Sequence, residues 1–253
     1  MLLVIDVGNT NTVLGLLEGE EVLHHWRISS RQMTTDEIGL TLLQLLGHEA
    51  VSIDDIAGVA VACVVPSLLY AIDKACRRYL GRECLVVGPG LRTGMRVRTD
   101  NPKELGADRI VNAVAAFEKY GGPIVIVDFG TATTFDCVND KGEYVGGVIA
   151  PGFQISAEAL WTRTSKLPRV ELERTRKVIG TNTVHSMQSG LHWGYVGLVD
   201  GIAHRCRVEL QGESRCIATG GLSNLIAVDS REIELVDDFL TLRGLRILWD
   251  RNR

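Results

Sequence analysis

Twice in this chain an aliphatic run ends in Asp-x-Gly and passes into Asn and Thr. The first case is Asp6-Val7-Gly8-Asn9-Thr10-Asn11-Thr12-Val13 after Leu2–Ile5, and the second is Asp128-Phe129-Gly130-Thr131-Ala132-Thr133-Thr134 after Ile124–Val127. A strand ending this way sets a carboxylate at the mouth of a sheet. Glycine lets a ligand come close, while backbone N–H groups and the Asn and Thr side chains supply donors. Such a set suits a nucleotide phosphate and its Mg²⁺: the donors take phosphate oxygens, and Asp orients the metal directly or through water. One such turn alone reads better as a tight hairpin in which Asp6 and Asn9 cap their own backbone. Its recurrence with the same glycine placement reverses that preference. Neither turn carries G-x-x-x-x-G-K-[ST] or G-x-G-x-x-G, so the P-loop and Rossmann readings lack their defining residues.

Two further stretches bear chemistry. In Asn101–Ile110, "NPKELGADRI", Asp108 and Arg109 stand at the start of an expected helix after a glycine. Asp108 can accept a proton from a substrate hydroxyl, and Arg109 can bind a carboxylate or phosphate. The stretch equally describes a helix N-terminal carboxylate favoured by the dipole, with Arg109 in a surface ion pair. The other stretch, "ATGGLSN" at 218–224, is a strand running into two glycines before a helix. It suits a flat ring or phosphate passing close to backbone, and alone it is unspecific.

The elements that must position these residues follow from periodicity. Strands are expected at 2–6, 12–17 and 21–28, a helix over "TTDEIGLTLLQLLGH" beginning near Thr35 or Asp36, and a strand at 57–64. A helix then runs from Pro66 to Leu80, followed by a short strand "ECLVVG". Residues 88–104, rich in Gly and Arg, read as a functional loop, and "LGADRIVNAVAAFEKY" as a helix ending at the Gly121-Gly122-Pro123 stop. From Ile124 the pattern restarts with strands at 124–128, 133–138 and 144–149 and a helix over "PGFQISAEALW". A long helix over Thr183–Glu209 carries Gly190, Gly194, Gly197 and Gly201, a spacing that suits close helix or subunit packing. The tail reads as strand "RCIATGG", helix "LSNLIAV", strand "REIELV" and a last helix from about Leu240. The order is a duplication of one α/β lobe, in which Asp6 aligns with Asp128, Gly8 with Gly130 and Thr12 with Thr134.

Composition narrows the function classes. With 253 residues the chain can bury one large core or two small ones, and 45% hydrophobic with 23% charged residues is an ordinary globular balance. A net charge of −4 argues against nucleic-acid binding by bulk electrostatics. Six scattered cysteines with no C-x-x-C point to a reducing compartment and away from structural zinc. Asp6 interrupts the first apolar run too early for a signal peptide, and Pro66 divides the Ile56–Ile72 run, so neither export nor a membrane span is expected.

The motifs together resemble the type III pantothenate kinases of the actin-like ATPase superfamily. The resemblance rests on "DVGNTNTVLG" at 6–15, "GADR" at 106–109, "DFGTATT" at 128–134, "GGVIAPG" at 146–152, "GTNT" at 180–183 and "TGG" at 219–221. It implies two duplicated ribonuclease-H-like lobes, 1–118 and 119–253, each a mixed sheet with helices, with ATP held between them. The implied reaction is ATP-dependent phosphorylation of pantothenate at its primary hydroxyl, the first step towards coenzyme A. By the resemblance, Asp6, Val7, Gly8, Asn9, Thr10, Asn11, Thr12, Val13 and Thr131 contact ATP, and Asp6 stands near Mg²⁺. Asp108 is the general base, and Gly106, Ala107, Asp108, Arg109 and Thr183 line the pantothenate site. Asp128 holds a monovalent cation, potassium or ammonium. A cytoplasmic homodimer with the active site near the subunit interface is implied as well. The rival expectations are another small-molecule kinase of the superfamily and a non-catalytic accessory factor in gene regulation. The "GADR" and "GTNT" motifs weigh against the first, and the retained Asp108 and Asp128 against the second.

Overall fold

The computed structural model describes residues 1–253, which divide into two compact units: 1–96, 100–118 and 239–253 in the first, and 97–99 with 119–238 in the second. The first unit opens with β1 (Leu2–Val7), antiparallel to β2 (Asn11–Glu18), which is antiparallel to β3 (Glu21–Ser29). Strands β4 (Gly58–Cys63) and β5 (Cys84–Val86) join in parallel, giving the order β3-β2-β1-β4-β5. Strand β1 is central, so both faces are covered. Leu2, Leu3, Val4, Ile5 and Val7 are all buried, each worth roughly 1.5–3 kcal/mol of apolar transfer. Side chains alternate along a strand, so Asp6 shares a face with Leu2 and Val4. Leu3, Ile5 and Val7 face the helices α1 (Thr35–His48) and α2 (Pro66–Ala75).

Helix α1 begins where a reciprocal cap forms. The Thr34 hydroxyl accepts from Glu37 N at 3.3 Å, and Glu37 Oε2 accepts from Thr34 N at 2.8 Å. Thr34→Ala is expected to cost about 0.5–2 kcal/mol, read as a lower thermal midpoint with turnover unchanged. Helix α2 continues through one wide π-type turn, Cys76–Leu80, and stops at Gly81, whose φ of 65° is left-handed. The unit's third helix is α3 (Ala107–Tyr120).

In the second unit β7 (Ile124–Phe129), β8 (Ala132–Val138) and β9 (Glu143–Pro151) form the same antiparallel meander. Strands β10 (Arg215–Gly220) and β11 (Leu235–Val236) add in parallel. The order β9-β8-β7-β10-β11 repeats that of the first sheet, so the duplication expected from the two Asp-Gly turns is present in the topology. Val125, Val127 and Phe129 pack with α4 (Phe153–Thr162) and α5 (Thr183–Glu209), which leaves Asp128 on the face of Ile124 and Ile126. The short α6 (Ser223–Ala227) links β10 to β11. No helix is long and apolar enough to cross a membrane.

Four features differ from the sequence expectation. Within 88–104 lies a two-residue strand β6 (Arg96–Val97) at the edge of the second sheet beside β9, fastened by Arg98 N donating to Tyr144 O at 2.8 Å. Two residues carry no readable alternation. The strand expected over "REIELV" pairs only through Leu235 and Val236. The last helix α7 (Leu240–Asn252) does not belong with 119–238: it covers the second face of the first sheet. A Cβ on Gly15 would lie 2.8 Å from Leu242 Cδ1, and one on Gly58 would lie 2.0 Å from Trp249. Those glycines admit the helix. Finally, a Cβ on Gly190, Gly194 or Gly197 of α5 would meet nothing within 4 Å, so these three do not serve packing inside the chain.

Candidate active site

The first turn is a four-residue loop. Val7 pairs with Thr12 and Asp6 with Val13, which leaves Gly8–Asn11 to reverse the chain, closed by Gly8 N donating to Asn11 O at 3.0 Å. Asn9, Thr10 and Asn11 are exposed and Asp6 is half-buried. The loop is tied to the end of β3: Ser30 N donates to Thr10 O at 2.9 Å, and the hydroxyls of Thr12 and Ser30 lie 2.8 Å apart. On the other side Cys63 stands opposite Val7 on β4 and donates its thiol to Val65 O at 3.1 Å. Burial pushes the Cys63 thiol pKa up, and the Asp6 charge adds to that. The cysteine beside this turn is therefore a weak nucleophile.

The second turn is one residue shorter. Phe129 pairs with Thr133 and Asp128 with Thr134, and Gly130 N donates to Ala132 O at 3.2 Å. The structural counterpart of Thr12 is thus Thr133 rather than Thr134. Both are buried, Thr12 at 6% and Thr133 at 0% exposure, whereas Thr134, like Val13, is half-buried. The constant residue offset between the repeats hides this one-residue deletion. Thr133 shares a short hydrogen bond with the Tyr195 hydroxyl, whose pKa burial pushes up.

Two glycines shape the surroundings of this turn. Gly152, the residue before α4, is so close to the loop that a Cβ would lie 2.0 Å from Thr131 O and 2.8 Å from Gly130 O. Gly220, opposite Phe129 on β10, has φ of 93°, and a Cβ there would lie 2.6 Å from Asp128 Oδ1. The Asp128 carboxylate and the Phe129 backbone occupy the place a side chain at 220 would take.

Asp108 and Arg109 occupy the first turn of α3, where Gly106 O accepts from Ile110 N at 3.2 Å. Asp108 Oδ1 accepts from Arg109 N at 2.8 Å, which aims the carboxylate back over Gly106. A Cβ on Gly106 would lie 2.5 Å from that oxygen, so the glycine of "GADR" makes room for the acid. Burial raises the Asp108 pKa against the lowering effect of the Arg109 N–H and guanidinium. A carboxylate with a raised pKa is a stronger proton acceptor. Arg109 is half-buried.

Thr183 is the first residue of α5 and is exposed. Asn182 caps the helix by accepting from His185 N at 2.9 Å. A Cβ on Gly180 would lie 2.4 Å from Ser186 N, so the "GTNT" glycine lets the incoming chain press against the first turn. The first unit thus carries the Asp6–Val13 turn and Gly106–Arg109. The second carries Asp128 and Thr131 on one turn, and Thr183 on a separate helix. No group of three or more His, Cys, Asp or Glu side chains converges. A turn that supplies one acidic side chain, as the Asp6 turn does, suits Mg²⁺ that arrives with phosphates and keeps its waters.

Sequence reading missed one charged cluster in the second unit. Asp229, just after α6, accepts from Arg174 Nε at 2.6 Å and Nη2 at 2.5 Å, and lies 2.9 Å from His192 Nε2 on α5. The Arg174 fork, helped by His192, holds the Asp229 carboxyl down at about 2. Its members come from three separate elements, and no spacing announces them.

The description of a type III pantothenate kinase family matches residues 2–205 of the chain, and therefore all the motifs up to Thr183. The chain belongs to the type III pantothenate kinase family. Full-length relatives agree with the family assignment. A type III pantothenate kinase of Halalkalibacterium halodurans is 50% identical over 253 residues, covering 100% of both chains. One of Geobacter sulfurreducens is 55% identical over 254 residues, again covering 100% of both. Among solved structures, the activator of the 2-hydroxyisocaproyl-CoA dehydratase from Clostridium difficile with bound ADPNP is similar at a TM-score of 0.54. The two share 14% identity, with 99% of this chain and 95% of that one covered. At that identity the likeness concerns the fold alone.

Proposed function

We propose that this chain catalyses ATP-dependent phosphorylation of pantothenate to 4'-phosphopantothenate, the first step of coenzyme A biosynthesis. The observation that carries this reading is the full-length identity of 50–55% with relatives named type III pantothenate kinase. At that identity another small-molecule kinase activity is disfavoured, and the intact Asp108 speaks against a non-catalytic accessory role.

The residues take the following parts. Backbone N–H groups and side chains of Asp6–Val13 hold the ATP phosphates, with Thr131 adding a contact from the second turn. Asp6 would orient the nucleotide's Mg²⁺ directly or through water, and the metal would supply charge compensation for the phosphates. Gly106, Ala107 and Arg109 with Thr183 seat pantothenate so that its primary hydroxyl meets Asp108. Asp108 takes the hydroxyl proton as the oxygen bonds to the γ-phosphorus and the bond to ADP breaks. Positioning and charge do most of the work, as in phosphoryl transfer generally. Asp128 would hold potassium or ammonium, whose charge would substitute in part for the missing Walker lysine.

A homodimer with the site near its interface is supported by two exposed features. One is the bare glycine face of α5, and the other is Val178, Ile179 and Val184 beside it, at 63%, 84% and 41% exposure. The six cysteines are free thiols, which suits the reducing cytoplasm.

A coupled assay of ATP consumption with pantothenate and Mg²⁺ tests the reading. The expected result is turnover that requires pantothenate and rises several-fold with potassium or ammonium. An absence of turnover under every cation would sink the kinase assignment. Turnover indifferent to monovalent cations would remove the role given to Asp128.

A further inference from the structure

The segment 163–182 between α4 and α5 contains no helix or strand, yet it delivers Gly180–Thr183 to the start of α5. A stretch of this length holds one conformation only if its side chains and backbone are fastened elsewhere. Three fastenings are present. Val170 is buried in the core of the second unit at 7% exposure. Residues on α5 reach back to the segment's carbonyls, Gln188 Nε2 to Glu171 O at 3.3 Å and Ser189 Oγ to Lys177 O at 3.4 Å. The third is the two-pronged contact of Arg174 with Asp229, whose other side is held by His192.

The arrangement of this third fastening is unusual for a surface ion pair. His192 is 0% exposed, and its Nδ1 has no hydrogen-bond partner. A buried ring nitrogen without a partner is a cost that the fold accepts to keep Nε2 on Asp229. The Asp229 side chain is 11% exposed and that of Arg174 50% exposed. The carboxylate is therefore fixed from inside by α5 through Oδ2, and the Arg174 fork meets Oδ1 and that same Oδ2 in one orientation. A planar guanidinium matches that pair of oxygens, and an ammonium does not. The Arg174 side of the pair is half-exposed, so solvent screens part of its contribution to stability, and what it adds beyond that is location.

We propose that Arg174, clasped by Asp229 and His192, is a positioning residue that sets the Gly180–Thr183 segment, and with it Thr183, for the phosphate acceptor. The proposal rests on the reading of Thr183 as a pantothenate contact. Arg174 touches no substrate in this scheme. It acts by holding the chain that leads into α5, and Gly180 transmits that hold by its close packing on Ser186.

The test compares wild type, Arg174→Ala, Arg174→Lys and Asp229→Asn. Arg174→Ala is expected to raise the KM for pantothenate by about tenfold or more, with KM for ATP and kcat within twofold even where the thermal midpoint falls. Arg174→Lys, which keeps charge and loses the fork, should fall between wild type and Arg174→Ala, and Asp229→Asn should behave like Arg174→Ala. Amide hydrogen exchange supplies a readout without substrate: residues 164–183 should exchange faster in Arg174→Ala while β7, β8 and β10 keep their protection. Unchanged exchange in that segment would overturn the clasp. Faster exchange with an unchanged pantothenate KM would overturn its link to the acceptor, as would a fall in kcat alone that follows a lower thermal midpoint. A wild type inert towards pantothenate would defeat the functional reading, and the exchange pattern would then decide the clasp by itself.

Discussion

Asp108→Asn is expected to lower kcat for pantothenate phosphorylation by about 10²–10⁴-fold, the usual worth of a positioned general base. The amide keeps the size of the carboxylate and can still accept from Arg109 N, so α3 should start where it does now. The KM values should move little. Turnover that survives the substitution would retire Asp108 as the base. The raised pKa adds a second signature. Below that pKa Asp108 carries a proton and cannot take another, so kcat/KM climbs as pH rises through it and then levels. The midpoint of this acid limb should lie above the value of about 3.9 typical of an exposed aspartate. Stability runs the opposite way. Between the ordinary and the raised value the folded chain holds a proton that the unfolded chain has released, so folding stability falls as pH rises through that window. Above it the ionised carboxylate remains a burden on the fold. Asp108→Asn should therefore melt no lower than wild type at pH 7, and each 1 kcal/mol gained would add about 2–4 °C. That advantage should vanish below about pH 4, where both states of wild type bind the proton. An inactive variant that is also less stable at neutral pH would show that the carboxylate serves the fold rather than the reaction.

Gly152→Ala is expected to disable the second turn. The new methyl group would lie 2.0 Å from Thr131 O and 2.7 Å from Thr131 C, both backbone atoms that no rotamer change can move aside. Either the 130–132 loop or the start of α4 must shift. Overpacking of this kind costs about 1–3 kcal/mol, and occasionally more. Because the displaced atoms belong to Thr131, the KM for ATP should rise about tenfold or more as well. Gly47→Ala in the last turn of α1 is the control. A Cβ there would meet nothing within 4 Å, so alanine should leave the kinetics alone and add roughly 0.5–1 kcal/mol of stability. A Gly152→Ala enzyme with wild-type melting and ATP affinity would mean that the turn yields easily and that its close packing is incidental.

These sites differ in how far the sequence discloses them. The two meanders were legible because β1 and β7 are apolar on both faces, so Asp6 and Asp128 stand out at their ends. The long α5 was legible because its bounds coincide with a capping Asn182 and the loss of pattern after Glu209. The register of the second turn was not: a three-residue and a four-residue loop carry the same Asp-x-Gly opening, and only the ladder shows that Thr133 takes the place of Thr12. The role of Gly152 and Gly220 was visible as motif and invisible as cause, since the atoms they make room for belong to other elements. Arg174 and Asp229 lie 55 residues apart, and nothing local distinguishes them from their charged neighbours. Strand β6 was missed because a strand of two residues owes its existence to the β9 edge beside it.

Helix α7 has a consequence for how the protein comes into being. Its Leu242 and Trp249 close the sheet face that Val4, Gly15 and Gly58 present, so these strands are covered by a helix that is made only after the whole second unit. Contacts spanning nearly the whole chain are slow to form, and an apolar surface left uncovered invites association. Until that helix is made, the nascent first unit lacks one wall. Chaperone dependence, sensitivity to premature termination and intolerance of deletions before Asn252 should all trace to that single late-arriving helix.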